Sequence, residues 1–472
     1  MSSTPPPPAE RVHRAAEPDR PQRHGAASPA ARTSPPGPDE HADRLGAFID
    51  ASPSPFHAVQ TALGRLTDAG YQLLAETQPW PSAPGRYVVC REGTLAAWDT
   101  LASPATAHTG FRVLGGHTDS PNLRIKPQPD VTREGWDQLG VEVYGSPLLT
   151  TWLDRDLGLS GRVAVRDPDG PWGSRQRLVR VDDPLLRVAN LAIHLDRSVH
   201  DEGVRLNPQL HLAPIWGATG AAPTLRAWLA QRLDVAEADV LAYDLMTHDL
   251  APSARLGHAR DLLAAPRLDN LATAYAGVEA LLAAGADLEA GSGAGRHIPL
   301  LVLFDHEEIG SMTDRGAFSS FLPGLLERVV LSRGGGRDDL HRALADSLVC
   351  SADMAHATHP NYVERHEPAH RIAVNGGPVL KVNSKGRYAS DAPGEAAFEL
   401  ACEQAGVPMQ RFVVRSDLPS GSTIGPMTAA LTGVVTVDVG APMLSMHSAR
   451  ELCGARDPAM YVAALTAMLA SR

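Results

Sequence analysis

Residues 298–308 carry the sequence IPLLVLFDHEE, in which an apolar run leads directly into four titratable side chains. A short, continuous apolar run bounded by polar residues is typical of a strand that is buried on both faces of a sheet. Residues 348–350 and 434–437 repeat this design, and residues 270–284 have helical periodicity. Helices that alternate with buried strands predict an α/β fold with a mixed sheet covered on both faces.

Four apolar runs of this kind end in residues that can bind metals or transfer protons. The polar segments that follow them are residues 115–119, 305–308, 351–356 and 438–447. A fifth segment, residues 267–270, opens the predicted helix, where Asp269 and Asn270 would also suit a helix cap. Because ligands of open α/β sheets bind at the carboxyl ends of the strands, we expect these segments to meet at one edge.

The residue types in these segments indicate metal chemistry. Imidazole and carboxylate groups without thiolates suit Zn²⁺, with Co²⁺ or Mn²⁺ as alternatives. Two ions about 3.5–4 Å apart can share one carboxylate and hold both the attacking water and the substrate carbonyl. Asp119 stands two residues after His117, where it can hold the second imidazole N–H. Glu307 and Glu308 lie on a segment that we predict to be extended, so one can bind metal while the other acts as base.

Composition divides the chain of 472 residues into three predicted parts. Residues 1–40 contain ten prolines and no Leu, Ile, Phe, Tyr or Trp, which predicts a disordered tail. Residues 41–123 and 258–472 form the predicted α/β domain, which is discontinuous in sequence. Residues 124–257 are rich in short β-like segments and turns, which predicts an inserted β-rich domain.

Charge and cysteine usage exclude several classes of protein. The formal net charge of −11 argues against a general binder of nucleic acids or anionic membranes. The sequence contains no run of about 18 apolar residues, so we predict no membrane span. None of the four cysteines belongs to a CxxC motif, so we predict a reducing compartment, the cytoplasm. Lysine occurs only at positions 126, 381 and 385, beside 40 arginines, which singles out Lys381 as a candidate partner for an acidic substrate.

Ten ordered motifs after residue 40 resemble those of the aspartyl aminopeptidase family of dinuclear zinc metallo-aminopeptidases. These motifs are SPSPFH (52–57), GHTDSP (116–121), WLDRDL (152–157), LAIH (191–194), RLDNL (267–271), EEIGS (307–311), SADMAH (351–356), KVNS (381–384), TIGP (423–426) and MHS (446–448). Residues 144–148, YGSPL, depart from a more glycine-rich run of the family, which bears on substrate contacts rather than on metal binding.

The resemblance implies a role for each matching residue. The implied ligands of two Zn²⁺ ions are His117 and Asp353 for one ion, Glu308 and His447 for the other, and Asp269 as the bridge. The other implied roles are Glu307 as general base, Asp119 as partner of His117, and His194, His356 and Lys381 as substrate contacts. It also implies a metallopeptidase catalytic domain with an inserted dimerisation domain, a homo-oligomer that is a dodecamer, and a His194 that reaches a neighbouring subunit's site.

We therefore predict a zinc aminopeptidase that removes the N-terminal residue of peptides, with a preference for Asp or Glu. Its attacking water is activated by metal, and Glu307 accepts the proton. Two alternatives remain open at this point. One is a related dinuclear metallohydrolase with broad aminopeptidase or deacylase specificity, and the other is an oligomeric scaffold without catalysis. Acidic, neutral and acylated substrates distinguish the first alternative, and metal analysis distinguishes the second.

Overall fold

The structure is a computed structural model that describes residues 37–101, 103, 106–218, 220–289 and 296–470. Most of the predicted tail, residues 1–36, lies outside these ranges. Residues 38–40 belong to a helix instead, so the prediction of disorder is wrong for them. Pro38 stands in the first helical turn, where its missing N–H costs nothing, and Asp39 and Glu40 favour the helix N-terminus.

The regular elements are numbered in chain order. The strands are β1 (Gln72–Leu73), β2 (Arg86–Arg91), β3 (Thr94–Asp99), β4 (Phe111–His117), β5 (Asn122–Arg133), β6 (Trp136–Tyr144), β7 (Leu157–Arg166), β8 (Ser174–Leu186), β9 (Ile215–Ala218), β10 (Val240–Asp249), β11 (Ala254–Leu256), β12 (Leu262–Ala265), β13 (Ile298–Phe304), β14 (Leu348–Ala352), β15 (Ala355–His356), β16 (Val379–Val382), β17 (Gln410–Val413), β18 (Val435–Gly440), β19 (Pro442–Leu444) and β20 (Glu451–Gly454). The helices are α1 (Pro38–Asp50), α2 (Pro55–Asp68), α3 (Val199–Glu202), α4 (Pro208–His211), α5 (Leu225–Leu233), α6 (Leu268–Glu289), α7 (Phe321–Ser332), α8 (Arg337–Ala345), α9 (Ala392–Ala405), α10 (Ile424–Thr432) and α11 (Asp457–Leu469).

The largest sheet has nine strands in the order β1-β2-β3-β13-β4-β14-β18-β16-β17. Its four central strands, β13, β4, β14 and β18, run parallel to one another. Strands β3 and β16 pair antiparallel with the outer members of this group, so the sheet is mixed as predicted. Parallel neighbours end at the same edge of a sheet, and that edge carries the polar segments that follow β4, β13 and β14.

Helices cover both faces of the nine-stranded sheet. One apolar core joins the sheet to α1, α2, α6, α9 and α11, and a separate core joins its other face to α7, α8 and α10. All seven residues of β13 are buried, which agrees with its continuous apolar sequence. The predicted fold class, a mixed α/β sheet with helices on both faces, is confirmed.

A second sheet is built from residues between 122 and 249. Its six strands follow the order β8-β7-β10-β5-β6-β9, and each pairs antiparallel with its neighbours. Leu225, Leu229 and Leu233 of α5 belong to its apolar core, which is distinct from the two cores of the large sheet. The role of this region in dimerisation stays a prediction.

A small sheet completes the edge at which the polar segments meet. It has five strands in the order β11-β12-β20-β19-β15, and β12 pairs antiparallel with β20 so that Ala265 lies opposite Glu451. The chain enters α6 directly after β12, and the turn between β19 and β20 contains His447. Among the described residues, no helix is long and apolar enough to cross a membrane.

Candidate metal centre

His117 is the last residue of β4, and two glycines before it allow helices to pack closely on both faces. A Cβ atom on Gly116 would lie 2.8 Å from Cγ2 of Thr273 on α6. A Cβ atom on Gly115 would lie 2.9 Å from Cδ1 of Ile424 on α10. Helices therefore press on this strand from both faces, which buries the His117 side chain almost completely.

The two nitrogens of the His117 ring have different surroundings. Nδ1 lies 3.0 Å from the backbone carbonyl oxygen of Asp119, which an Nδ1–H group can reach as a donor. Nε2 faces two carboxylates instead, 3.3 Å from Oδ1 of Asp269 and 3.6 Å from Oδ1 of Asp353. A proton held on Nδ1 leaves the Nε2 lone pair free to bind a cation.

Asp269 lies between two imidazoles. Its Oδ2 is 3.3 Å from Nε2 of His447, whereas its Oδ1 faces His117. The residue stands at the start of α6 with a ψ of 105°, outside helical geometry, and the side chain of Asn270 donates to the carbonyl of Ala352. The alternative of a simple helix cap therefore does not describe this pair, since both side chains point to other elements.

Asp119 organises the segment that carries Glu307 and Glu308. Its carboxylate accepts the backbone N–H groups of Glu307 and Glu308, both at 3.1 Å, and the hydroxyl of Tyr144 at 2.7 Å. Glu307 and Glu308 belong to a 3-10 turn, so the prediction of an extended segment is wrong. His306, directly before the turn, is left-handed, with φ 65°, and the N–H groups of both glutamates point toward Asp119.

His447 reaches the site from the small sheet rather than from the end of β18. The sequence analysis placed His447 in a segment that follows β18 directly, which is wrong because β19 lies between β18 and His447. The acidic residue of β18 itself, Asp438, is buried and accepts hydrogen bonds from Ser351, Thr423 and Ala389. Nε2 of His447 lies 3.4 Å from Oε2 of Glu308.

Residues 144–148, which differ from the glycine-rich run of the family, contact His447. Nδ1 of His447 lies 3.0 Å from the carbonyl oxygen of Ser146, and the backbone N–H of Leu148 donates to the carbonyl of His447. Tyr144 meanwhile donates to Asp119. Residues 144–148 therefore contact His447, a predicted metal ligand, and Asp119, which holds the turn that carries Glu307 and Glu308. The sequence of this segment did not reveal that role.

We call the six residues gathered here the carboxylate–imidazole cluster: His117, Asp269, Glu307, Glu308, Asp353 and His447. Candidate ligand atoms lie within 4.8 Å of one another in three overlapping groups, namely His117 with Asp269 and Asp353, Asp269 with Glu308 and His447, and His117 with Glu307 and Glu308. The structure thus brings together the five predicted metal ligands and the predicted base.

The electrostatics of the cluster show an excess of buried negative charge. Burial lowers the pKa of His117, but Asp119, Asp269 and Asp353 raise it well above its ordinary value. Burial also lowers the pKa of His447, whereas Asp269 raises it, with a result of about 9. Burial raises the pKa of Glu307 and of Glu451 to about 8. A bound divalent cation would favour the ionised carboxylates because it supplies the missing positive charge.

The donor set fits a zinc ion. Oδ1 of Asp269 and Oε1 of Glu308 are buried and accept no hydrogen bond, so two carboxylate oxygens are free for a cation. Imidazole nitrogen and carboxylate oxygen are ordinary zinc ligands, and unsatisfied buried oxygens are costly without a partner. The four cysteines are free thiols, and none belongs to the cluster.

A cavity of about 240 Å³ opens beside the cluster. Its wall includes His356 and Lys381, two of the residues predicted to contact substrate, together with Tyr388, Phe412 and Thr423, which the sequence analysis did not identify. The ring of His356 stands edge-on to that of Phe412, with 6.0 Å between centroids. His194, in contrast, is exposed in the segment between β8 and α3 and does not line this cavity.

Glu451 is a further residue that sequence reasoning missed. It is buried at the start of β20, and its carboxylate accepts the backbone N–H groups of both Asp269 and His447. A glutamate that follows a predicted metal ligand by four residues was the available signal, but the sequence does not reveal which groups it contacts.

A mixed α/β sheet that gathers imidazoles and carboxylates beside a cavity is the arrangement of a metal-dependent hydrolase. Residues 48–468 match the family described as Aminopeptidase I zinc metalloprotease (M18). The chain therefore belongs to the M18 family, and it is a zinc aminopeptidase, as the resemblance implied.

Individual relatives agree with this assignment over most of their length. A protein of Mycobacterium leprae (strain TN) named "Probable M18 family aminopeptidase 2" is 54% identical over 426 residues, which cover 90% of this chain and 97% of that protein. A chain in the cryo-EM structure of the Ape4 and Nbr1 complex superposes with a TM-score of 0.85 at 36% identity, covering 91% of this chain and 85% of that chain. The S. cerevisiae mApe1 dodecamer has a chain with a TM-score of 0.78 at 27% identity, covering 91% and 96% respectively.

Proposed function

We propose that this aminopeptidase binds two zinc ions and removes N-terminal Asp or Glu from peptides. The observation that carries the two-ion proposal is the position of Asp269, whose two carboxylate oxygens each lie 3.3 Å from a different imidazole. His117 and Asp353 would hold one ion, His447 and Glu308 would hold the other, and Asp269 would bridge them. Co²⁺ and Mn²⁺ accept the same ligands.

The chemistry then follows from the residues around the cavity. Zinc held by these residues would supply Lewis-acid chemistry, making a water molecule more acidic and the carbonyl of the scissile bond more electrophilic. Glu307 is partly buried at the cavity wall, where it accepts a proton from the attacking water and later delivers it to the leaving amine. His356 faces the same cavity and donates to the oxygen on which negative charge develops.

The preference for an acidic residue is proposed from Lys381. Among the described residues of the cavity wall, Lys381 is the lone Lys or Arg side chain, and its ammonium can pair with a substrate carboxylate. One contact favours the broad-specificity alternative instead, because Nζ of Lys381 already lies 3.7 Å from Oδ2 of Asp353 and donates to the carbonyl of Met354. A lysine neutralised by Asp353 has less charge to offer a substrate.

A substrate panel tests both specificities. Peptides with N-terminal Asp, Glu, Leu and Ala, and an N-acetylated peptide, are compared with and without a chelator in the wild type and in Lys381→Met. We expect Lys381→Met to reduce kcat/KM for the acidic peptides at least about tenfold more than for Leu and Ala peptides, since a charge-assisted contact is lost. The exposed Lys385 provides the control Lys385→Met. Equal losses on all peptides support the broad aminopeptidase, and hydrolysis of the N-acetylated peptide supports a deacylase.

We also propose a homo-oligomer in the cytoplasm. Leu191, Ile193 and Leu195, which flank His194, are large apolar side chains exposed in the single chain, and such patches are typical of interfaces. The similarity to a subunit of the mApe1 dodecamer supports a dodecamer in which His194 reaches a neighbouring copy's cavity. Light scattering after size-exclusion chromatography tests the assembly, and a monomer at micromolar concentration contradicts it.

The proposed location in the cytoplasm is supported by the free cysteines, which suit a reducing compartment.

A further inference from the structure

Glu451 joins two parts of the carboxylate–imidazole cluster that are distant in sequence. Its Oε1 accepts the backbone N–H of His447 at 2.7 Å, and its Oε2 accepts the backbone N–H of Asp269 at 3.1 Å. The second contact spans 182 positions of sequence. Each oxygen of one buried carboxylate therefore holds the main chain of a different residue of the cluster.

Neither of the two residues that it holds has helical backbone angles. His447 is left-handed, with φ 66°, a conformation that is unfavourable for a residue with a Cβ atom. Asp269 stands outside helical geometry at the start of α6. A left-handed residue with a Cβ atom keeps its orientation only where contacts specify it, and Glu451 supplies such a contact to His447. The bond from Glu451 to the N–H of Asp269 holds the extended residue from which α6 begins.

We infer that Glu451 is a positioning residue that sets the spacing between the side chains of Asp269 and His447 through their backbones, and so supports the metal site that these two share with Glu308. The inference rests on the proposed binding of two zinc ions. Glu451 does not itself line the cavity of about 240 Å³ whose wall includes His356 and Lys381. Its effect should therefore appear first in metal affinity and only through that in catalysis.

The geometry also indicates why a carboxylate is needed. Two N–H donors converge on the side chain, and a carboxylate offers an acceptor oxygen to each. A glutamine of the same shape has one acceptor and one NH₂ group, which opposes the second backbone N–H. Glu451→Gln therefore keeps the volume of the side chain while removing one of its two contacts.

A matched control lies elsewhere in the chain. Asp457, at the start of α11, is also a buried carboxylate that accepts two backbone N–H groups, those of Asn375 at 2.6 Å and Gly377 at 3.2 Å. It belongs neither to the cluster nor to the wall of its cavity. Asp457→Asn thus imposes the same kind of loss on the fold without touching Asp269 or His447.

The experiment measures zinc content against a graded series of chelator concentrations, thermal unfolding with and without zinc, and kcat and KM at several zinc concentrations. For Glu451→Gln we expect at least about tenfold weaker binding of one of two zinc ions, as is usual when a supporting contact of a metal ligand is lost. We also expect kcat to recover as zinc is raised, with little change in KM. Asp457→Asn should lower the unfolding temperature but retain both ions like the wild type.

The inference is overturned if Glu451→Gln holds both ions as tightly as the wild type, or if Asp457→Asn loses zinc to the same extent. Should Glu451→Gln not fold, Glu451→Asp provides the same test, because the shorter carboxylate cannot reach both donors in place, and retention of both ions by this variant also overturns the inference. A wild type that binds fewer than two zinc ions contradicts the proposed function instead, so the two failures are distinguishable.

Discussion

Two groups of neighbouring histidines and carboxylates in this molecule have opposite electrostatics. One is the carboxylate–imidazole cluster. The other, which we call the helix–sheet cluster, lies between α2 and the six-stranded sheet and contains His57, Asp182, His248, Arg180 and Arg267. Nε2 of His248 lies 3.2 Å from Oδ1 of Asp182, and Nδ1 of His57 lies 2.7 Å from the hydroxyl of Ser54.

The partners of the imidazoles make the difference. Burial, together with the charges of Arg180 and Arg267, lowers the pKa of His57 to about 4 and that of His248 to about 3, although Asp182 acts in the opposite direction. In the carboxylate–imidazole cluster, by contrast, the surrounding carboxylates raise the pKa of His117 and His447. Paired His and Asp residues therefore do not by themselves indicate a metal site. The better indication of a metal site is an excess of carboxylates whose oxygens accept no hydrogen bond.

The largest expected effect tests this contrast directly, with the same substitution in each cluster. Asp269→Asn should release zinc and abolish measurable peptide hydrolysis, because the ligand that we propose both ions share is removed; the loss of a supporting contact costs only about 10–100-fold. Asp182→Asn should leave zinc content and kcat/KM unchanged. Metal analysis and peptide hydrolysis measure both variants. Loss of zinc from Asp182→Asn would show that the two clusters are not independent.

Within the carboxylate–imidazole cluster, Glu307→Gln should separate metal binding from proton transfer. We expect kcat to fall about 10²–10⁴-fold because the proposed general base is lost, with zinc content unchanged. The control is Glu237→Gln, at an exposed residue shortly before β10 of the six-stranded sheet, and it should behave like the wild type. Near-normal turnover by Glu307→Gln would refute the assignment of the base.

A smaller effect is expected from the support that the second sheet gives to the metal centre. Tyr144→Phe removes the hydroxyl that donates to Asp119 at 2.7 Å and should reduce kcat/KM about tenfold, since outer contacts of this kind orient the inner residues. The matched control is Tyr243→Phe in the same sheet, whose hydroxyl donates to the carbonyl of Lys126 far from the cluster. If both variants lose activity equally, the hydroxyl of Tyr144 has no specific role.

The smallest effect concerns acid stability. The pKa of His57 is about 4 in the folded chain and about 6.5 when unfolded, so between these values the unfolded state binds more protons. The free energy of unfolding therefore rises with pH across this window and falls on acidification. This group changes it by at most about 1.4 kcal/mol per pH unit. In urea titrations from pH 4.5 to 7, His57→Asn should weaken this pH dependence relative to the wild type. An unchanged slope would contradict the contribution of His57.

Much of the fold was predictable because the decisive signals are local. The apolar run of β13 and the helical spacing of α6 each lie within one element, and both predictions agree with the structure. The errors occurred where one residue or one short strand redirects the chain. Glu307 and Glu308 form a 3-10 turn after the left-handed His306, and β19 separates β18 from His447. Such turns depend on contacts with distant elements, which periodicity does not encode.

The sequence by itself determined the kinds of group that this protein brings to a metal, because imidazoles and carboxylates follow its apolar strands and thiolates do not. It also determined the family, through motifs that extend over nearly the whole chain. Only the tertiary structure decided that Asp269 lies between His117 and His447 and that Glu451 holds two of these residues by their backbones. The physical reason is that these contacts join residues separated by up to 182 positions, and their distances depend on how three sheets pack together.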